Sequence, residues 1–119
     1  MKTIALTMIV KNEARSLARC LDSVAPWVDK MIVLDTGSTD DTIAIARAHG
    51  AEVYERRWTN DFAAARNAAL AHSDADWNLV LDADEWLTSG GEYLQDLKEE
   101  TSQFFAFIGV ILGAFAALA

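Results

Sequence analysis

The chain has 119 residues, 52% of them hydrophobic, and carries 18 acidic against 10 basic residues for a net charge of −8. This length suits one domain with a modest core and excludes two well-packed lobes. The hydrophobic content excludes a disordered chain, and the negative charge argues against nucleic acid as a partner. We therefore expect one globular domain, in which an anionic substrate would need a divalent cation.

The first part of the chain predicts a strand followed by a helix. Residues 3–10 are apolar and rich in β-branched side chains, as expected for a strand covered on both faces. Residues 13–24 change to helical spacing, and Pro26 prevents the helix from continuing. The apolar stripe of this helix consists of Leu17, Cys20, Leu21 and Val24. Because Cys20 is the single cysteine, it cannot form an internal disulfide, and we expect a buried, inert thiol.

Two short strands and a helix are predicted next. Residues 31–34 form an apolar run, and turn chemistry follows, with Ser38 as a good helix N-cap. The helix is predicted over residues 40–49, and Gly50 suits its left-handed C-terminal position. Residues 52–54 supply the third strand.

A further helix and a fourth strand complete the repeating order. Asn60 or Asp61 can cap the helix, and residues 78–81 are predicted to form the strand. The apolar stripe of the helix consists of Phe62, Ala65, Ala69 and Leu70. Since short turns cannot connect parallel neighbours, this alternation predicts parallel strands joined by right-handed crossovers. The expected fold class is therefore α/β, a three-layer Rossmann-like parallel sheet flanked by helices.

The last part of the chain has a different composition. Residues 92–100 form an acidic, helical stretch, whereas residues 104–119 contain no charged or polar side chain. As a helix, at about 1.5 Å per residue, the apolar segment is somewhat shorter than the ~30 Å of a bilayer core. It is interpreted as a core or interface element, as a peripheral membrane or oligomer contact, or as a truncation artefact. We therefore divide the chain into a domain over residues 1–100 and an apolar tail over residues 101–119.

The first residues carry little positive charge and lack a small-residue cleavage site, so they do not predict a secretory signal. We expect a cytoplasmic protein, with association to the inner face of the cytoplasmic membrane left open by the tail.

Polar side chains stand where three predicted strands end. Lys11, Asn12 and Glu13 follow the first strand, Asp35 ends the second, and Asp82 follows the fourth. Because the carboxyl ends of parallel strands meet at one edge, we expect these residues to share a crevice. Taken alone, Asp35 is also explained as a turn or helix-cap carboxylate.

Asp82 and Asp84 are a candidate metal-binding pair. Carboxylates at positions i and i+2 after a strand project to the same side, where their repulsion requires a cation, a proton or an arginine. Oxygen ligands favour Mn²⁺ or Mg²⁺, which bridges one or two carboxylates to substrate phosphates and acts as a Lewis acid. The competing interpretation is a solvated acidic loop; the apolar strand before the pair favours the metal site.

Other polar and aromatic residues are less specific. Arg66 stands on an alanine-rich helix, from which it can reach a nucleobase or phosphate, or pair with Asp61 at the surface. The four tryptophans could stack on a base or a sugar, but each is expected to be core or rim packing. His49 and His72 lie near predicted helix ends, where a cation is favoured, and neither is assigned a catalytic role.

Four motifs occur in a fixed order: MIVKNE, IVLDTGSTDDT, ERRWTNDFAAARNAAL and WNLVLDADEWL. Over residues 3–88 the chain resembles the family 2 glycosyltransferases of GT-A fold, in particular bacterial glucosyltransferases of lipooligosaccharide core assembly. The resemblance implies inverting transfer of a hexose from a nucleotide-sugar donor, usually a UDP-sugar, to an acceptor hydroxyl on a glycan or glycolipid. It also implies Mn²⁺ or Mg²⁺ as the cofactor.

The resemblance implies roles for individual residues. Asp35 would bind the base, and Arg66 would contact the base or the phosphates. Asp82 would bind the ribose or the metal, and Asp84 the metal. The loop that shapes the base pocket corresponds to Lys11, Asn12 and Glu13.

The matched motifs end at the Asp-x-Asp segment, where we expect the GT-A fold to be truncated. The acceptor half, with the general base that deprotonates the acceptor, is not matched, so no catalytic residue is assigned. A non-catalytic nucleotide-sugar-binding or assembly module is therefore the alternative. A nucleotidyltransferase would need a basic, glycine-rich phosphate loop near the first strand, and Lys11 alone does not provide one.

Overall fold

The computed structural model of the protein describes residues 2–99. The predicted tail over residues 101–119 lies outside the described residues. The elements in chain order are β1 (Ile4–Val10), α1 (Leu17–Val24), a 3-10 turn (Ala25–Trp27), β2 (Lys30–Asp35), α2 (Thr42–Ala48), β3 (Glu52–Glu55), α3 (Phe62–Ala71), β4 (Trp77–Val80) and α4 (Gly91–Glu99).

The four strands form one parallel sheet in the order β3-β2-β1-β4. This confirms the predicted parallel pairing. The chain moves outward from β1 through β2 to β3, and then returns to place β4 on the other side of β1. The reversal creates a topological switch point between β1 and β4, and open α/β sheets bind ligands outside the strand ends at such a point.

The main core lies between the sheet and the helices α1 and α2. Every second residue of β1, from Ile4 to Val10, packs into the same cluster as the predicted stripe of α1. That stripe is fully buried: Leu17, Cys20, Leu21 and Val24. Burying a leucine side chain contributes about 1.5–3 kcal/mol, so the α1 stripe is a large part of the stability of this layer.

The other face of the sheet is covered by α3 through small side chains. Ala65 and Ala69 are buried against Leu34, with Ile9 partly buried beside them. The three-layer prediction is therefore confirmed. The predicted stripe was wrong at Phe62, which is 55% exposed, because the first turn of α3 extends past the carboxyl edge of the sheet.

Two predicted helix starts were wrong. The helix α1 begins at Leu17, because Glu13 C=O accepts hydrogen bonds from the N–H groups of Ser16 and Leu17 in a separate turn. The helix α2 begins at Thr42, and Ser38 does not cap it. The Ser38 Oγ instead accepts a hydrogen bond from the N–H of Asn12, in the loop between β1 and α1. At α2, a hydrogen bond between the two loops takes the place of the predicted Ser38 cap.

The helix α4 closes the opposite, amino edge of the sheet. Lys2 N–H donates to Lys98 C=O at 2.9 Å, and Lys98 Nζ lies 3.0 Å from Asp29 Oδ1. Leu94 is buried in the main core, and Gly91 lies against the ring of Trp27, which leaves no room for a Cβ. Among the described residues, no helix has the length and apolar character needed to cross a membrane.

Candidate functional site

The loop after β1 is bonded to the loop after β2. Asn12 has a φ of 54°, and its Oδ1 accepts a hydrogen bond from Thr39 N–H at 2.8 Å. Its own N–H donates to Ser38 Oγ at 2.8 Å. Asparagine tolerates this left-handed conformation because its short polar side chain bonds locally. Asn12 therefore fixes the position of the loop, with Lys11 and Glu13 on either side of it.

Asp40 joins the same two loops, and sequence reasoning missed it. Its carboxylate accepts hydrogen bonds from Ala14 N–H at 3.3 Å, from Thr42 N–H at 2.9 Å and from the Thr42 hydroxyl. Thr42 Oγ1 accepts in turn from Glu13 N–H at 2.9 Å. The hydroxyl bond is the main cause that lowers the pKa of Asp40 from its usual 3.8. The Asp-x-Thr spacing before a helix is the pattern that could have identified this connector.

Asp35 lies below these loops and is only 1% exposed. Its Oδ1 accepts hydrogen bonds from Gly37 N–H at 2.9 Å and Ser38 N–H at 2.8 Å. The turn needs Gly37, which has a φ of 121°. Its other oxygen, Oδ2, is buried and has no hydrogen-bond partner among the described residues. Asp35 is thus the turn carboxylate of the simpler interpretation, and its second oxygen is left unpaired among the described residues.

Asp82 and Asp84 stand on a turn beyond the end of β4. The strand ends at Val80, which is paired with Thr7, so continuing that register brings Asp82 level with Ile9 near the carboxyl edge. Both aspartates are exposed, and Ala83 between them is buried. The aspartates are therefore at the predicted edge and point away from the core.

Glu85 makes two hydrogen bonds to Asp82 within this acidic turn. Its Oε1 accepts a hydrogen bond from Asp82 N–H at 2.7 Å, and its own N–H donates to Asp82 C=O at 2.9 Å. Within the part of the chain that the structure describes, no three His, Cys, Asp or Glu side chains are grouped as a metal site. Among the described residues, the exposed carboxylates of this turn are Asp82 and Asp84, and a pair of this kind fits Mn²⁺ or Mg²⁺, which complete their shells with water and phosphate.

Adjoining clefts connect these segments around the end of β1. The largest, of 990 Å³, is lined by Asn12, Glu13 and Asp84 together with two arginines of the α1 region. A second, of 260 Å³, shares Glu13 and adds Lys11. A third holds Arg66 and Asp82, and its 30 Å³ leaves room for about one water molecule. The structure thus brings the predicted residues to one edge and distributes most of them over neighbouring clefts, with Asp82 and Asp84 in different ones, whereas Asp35 lines none of these three.

The sequence profile of glycosyl transferase family 2 matches residues 6–113. The chain belongs to this family. Among its curated relatives is a TPR repeat-containing protein of Synechococcus elongatus, 55% identical over 87 residues, which are 73% of this chain and 22% of that protein. An uncharacterised glycosyltransferase of Rickettsia felis is 39% identical over 106 residues, covering 89% of this chain and 35% of that one.

Solved structures give the same assignment. The glucosyl-3-phosphoglycerate synthase of Mycobacterium tuberculosis in complex with UDP matches with a TM-score of 0.68 and 27% identity, over 86% of this chain and 41% of that one. The same enzyme in complex with Mn²⁺, UDP and glucosyl-3-phosphoglycerate matches with a TM-score of 0.65, over 81% of this chain and 38% of that one. The chain spans less than half the length of each of these proteins.

One part of this family 2 domain was missed by sequence reasoning. Trp58 and Phe62 form an edge-to-face pair with ring centroids 6.1 Å apart, and Trp58 Nε1–H donates to Asn60 Oδ1 at 3.0 Å. The Arg66 guanidinium lies 5.3 Å from the Phe62 ring centroid. The alternative partner of Arg66, Asp61, uses its Oδ1 to cap α3. The domain therefore carries an exposed aromatic pair, beside Arg66, between the second and third clefts.

Proposed function

We propose that this chain is the donor-binding part of a metal-dependent, inverting glycosyltransferase that transfers a hexose from a UDP-sugar to an acceptor hydroxyl. The observation that carries the proposal is the buried, unpartnered Oδ2 of Asp35, which ends β2 beside the end of β1 at the carboxyl edge. A buried carboxylate oxygen without a donor is costly, and a ligand that supplies an N–H group relieves that cost. Uracil offers such a group, its imide N–H. The related synthase was solved with UDP.

Two positively charged side chains at the carboxyl edge suit the diphosphate of this donor. Lys11 and Arg66 are both exposed and line the clefts next to the end of β1. In a chain with a net charge of −8, cations at this edge lower the cost of bringing in a further anion. We assign Asn12 and Glu13 to shaping the base pocket, because their loop is locked to the loop that follows Asp35.

Asp84 would hold Mn²⁺ or Mg²⁺, and Asp82 would bind either the ion or the ribose, as the resemblance to the family implies. When bound, the ion supplies Lewis-acid stabilisation of the charge that develops on the departing diphosphate. The related synthase was solved both with Mn²⁺ and UDP and with Mg²⁺ and UDP. The carboxylate of Glu85 is occupied by Asp82 N–H, so its role in this proposal is to hold the turn.

Transfer with inversion requires the acceptor hydroxyl to attack the anomeric carbon opposite the diphosphate while a general base removes its proton. The chain covers about a third of the glycosyltransferase relative, so transfer by the whole protein is part of the proposal. A glycan or glycolipid acceptor, as in lipooligosaccharide assembly, remains a prediction from the sequence. The same holds for a cytoplasmic location at the inner face of the membrane.

Calorimetry with UDP, with and without Mn²⁺, tests the donor site. We expect Mn²⁺ to strengthen UDP binding. In the presence of Mn²⁺, Asp84→Asn should lower the UDP affinity by at least about tenfold, which is equivalent to about 1.4 kcal/mol. Asp35→Asn keeps the oxygen that accepts from Gly37 and Ser38 but places an amide N–H₂ toward the base, so it should weaken UDP binding with and without the ion. Asp96→Asn, an exposed substitution on α4, is the matched control.

Unchanged UDP affinity in Asp35→Asn, or an equal affinity with and without Mn²⁺ in the wild-type chain, would overturn the assignment. Release of labelled sugar from a UDP-sugar by the chain separates a transferase from the non-catalytic binding module. Sugar release would therefore count against the non-catalytic module.

A further inference from the structure

Side chains of α1 contact both ends of the acidic turn that carries Asp82 and Asp84. The Ser23 Oγ accepts a hydrogen bond from Leu87 N–H at 2.9 Å, and the Arg19 guanidinium carbon lies 3.6 Å from the Trp86 ring centroid. At the other end, Cys20 Sγ–H donates to Asp82 C=O at 3.7 Å. These contacts join positions more than 60 residues apart in the sequence.

Apolar packing also attaches the acidic turn to the molecule: Ala83 is buried in the main core, and Leu87 packs against it. The pairing of β4 with β1 ends at Val80, so the residues that follow are outside the ladder. The bonds between Asp82 and Glu85 close the turn on itself and do not attach it to the rest of the molecule. Close carboxylates also repel one another, which favours spreading of the turn unless other contacts oppose it.

The contact made by Ser23 has a defined direction. Its hydroxyl donates to Cys20 C=O at 2.7 Å, one turn back in α1, so its free lone pair is available to accept from Leu87 N–H. The stacked guanidinium of Arg19 is a second, independent contact on the neighbouring residue Trp86. Both side chains project from α1, whose apolar stripe is fully buried and fixes the helix against the sheet.

We infer that Arg19 and Ser23 are positioning residues of the donor reaction, which hold the metal-binding turn in place through Trp86 and Leu87. This inference rests on the proposed function, because it assigns the turn to a divalent ion. Arg19 lines the same cleft as Asp84, so a direct contact with the diphosphate is the competing role. The two roles differ in what happens to UDP binding when no metal is present.

The first test is a double-mutant cycle on Arg19 and Trp86, measured as UDP affinity with and without Mn²⁺. We expect Arg19→Met and Trp86→Leu each to weaken the Mn²⁺-dependent UDP affinity by about threefold to tenfold, as for loss of a cation–π contact. The double variant should lose no more affinity than the single variant that binds UDP less tightly. UDP affinity without metal should stay within about twofold of wild type. Arg47→Met, an exposed arginine on α2, is the matched control.

An equal loss of UDP affinity with and without Mn²⁺ in Arg19→Met would assign Arg19 to direct phosphate binding and overturn the positioning role. Additive effects of the two substitutions would also overturn it, since they would show that the stacked pair does not act as a unit.

The second test uses hydrogen exchange of the Leu87 amide, which does not depend on any ligand. Ser23→Ala should speed this exchange and weaken the Mn²⁺-dependent UDP affinity, whereas Ser23→Thr, which keeps the hydroxyl, should restore both. Ser89→Ala, an exposed serine close to the turn, should change neither. Unfolding curves identify variants that fail to fold.

If the wild-type chain binds UDP no better with Mn²⁺, the proposed function fails, and the Leu87 exchange still decides whether Ser23 holds the turn. Unchanged exchange in Ser23→Ala would overturn the inference whatever the binding data show.

Discussion

At the scale of single residues, Cys20 connects the core to the acidic turn and gives a pH dependence that can be measured. Burial, together with the nearby charges of Glu85, Asp82 and Asp84, raises the pKa of the Cys20 thiol from 9.0 to about 12. The prediction of a buried, inert thiol is therefore confirmed. A thiolate is disfavoured in the folded state, so the contribution of the thiol to stability is complete below about pH 9 and is lost as the pH rises through 12.

The free energy of unfolding should accordingly fall more in the wild-type chain than in Cys20→Ala between pH 7 and pH 11. For a pKa of 9.0 in the unfolded chain and about 12 in the folded chain, the extra loss is about 3 kcal/mol. Urea unfolding at both pH values measures it. Lys30 and Tyr54 also have raised pKa values, but both variants contain them, so their effect cancels. Parallel losses in the two chains would contradict the burial of the thiol.

At the scale of elements, the two helices that begin near the carboxyl edge differ in how they are capped. Asp61 caps α3, with its Oδ1 3.0 Å from Ala64 N–H. Asp41 occupies the same position of α2 but makes no capping hydrogen bond through its side chain. Because α3 contributes mainly alanines to the core, its first turn, which carries Phe62, depends on this cap more than on packing.

We therefore expect Asp61→Ala to lower the free energy of unfolding by about 1 kcal/mol, as for loss of a helix cap. Asp41→Ala, the matched substitution at the N-cap position of α2, should change it by less than about 0.5 kcal/mol, because the Asp41 side chain makes no capping hydrogen bond. Thermal or urea unfolding of both variants measures the difference. Asp61→Asn, which keeps an acceptor oxygen, should recover most of the loss. Equal effects of the two alanine substitutions would show that the cap is not what stabilises α3.

The same two helix starts show which features of the elements can be predicted from sequence. The cap at Asp61 was predicted because the bond is local, from a residue to an N–H three positions on. The cap at Ser38 was wrong because its hydroxyl is used by Asn12, 26 residues away. Local patterns identify hydrogen bonds within an element, whereas bonds between loops depend on which strand ends become neighbours.

At the scale of the whole molecule, the alternation of elements predicted a parallel three-layer sheet and a site at its carboxyl edge. It did not predict the strand order, which determines that the loops after β1 and β4 face a switch point. Nor did it predict that one oxygen of Asp35 is buried without a partner, because that depends on the depth of the β2 end in the folded chain. The residue types identified the candidate site, and the packing of neighbouring strands determines which cleft each residue lines.

The two edges of the sheet use carboxylates in opposite ways. At the amino edge, Asp29 accepts hydrogen bonds from Ile4 N–H at 2.8 Å and from Lys98 Nζ at 3.0 Å, and these bonds lower its pKa. At the carboxyl edge, Asp82 and Asp84 are exposed and share a short turn. Donors compensate the charge at the first edge, whereas the carboxylates at the second edge face solvent, so we expect stability and ligand binding to depend on different aspartates.

Asp29→Ala removes two hydrogen bonds and should therefore lower Tm by about 4–8 °C, as for a net loss of about 1 kcal/mol in a small domain, and leave UDP affinity with Mn²⁺ unchanged below the transition. Asp84→Asn should do the reverse: it should keep or slightly raise the Tm of the ligand-free chain, because it removes one of the repelling charges, and it should abolish the added Tm shift that Mn²⁺ gives with UDP. Thermal unfolding of both variants with and without UDP and Mn²⁺ makes the comparison. A loss of ligand-free stability in Asp84→Asn as large as that in Asp29→Ala would contradict the division between the edges, because it would mean that the folded chain already stabilises the charge of Asp84 without a ligand.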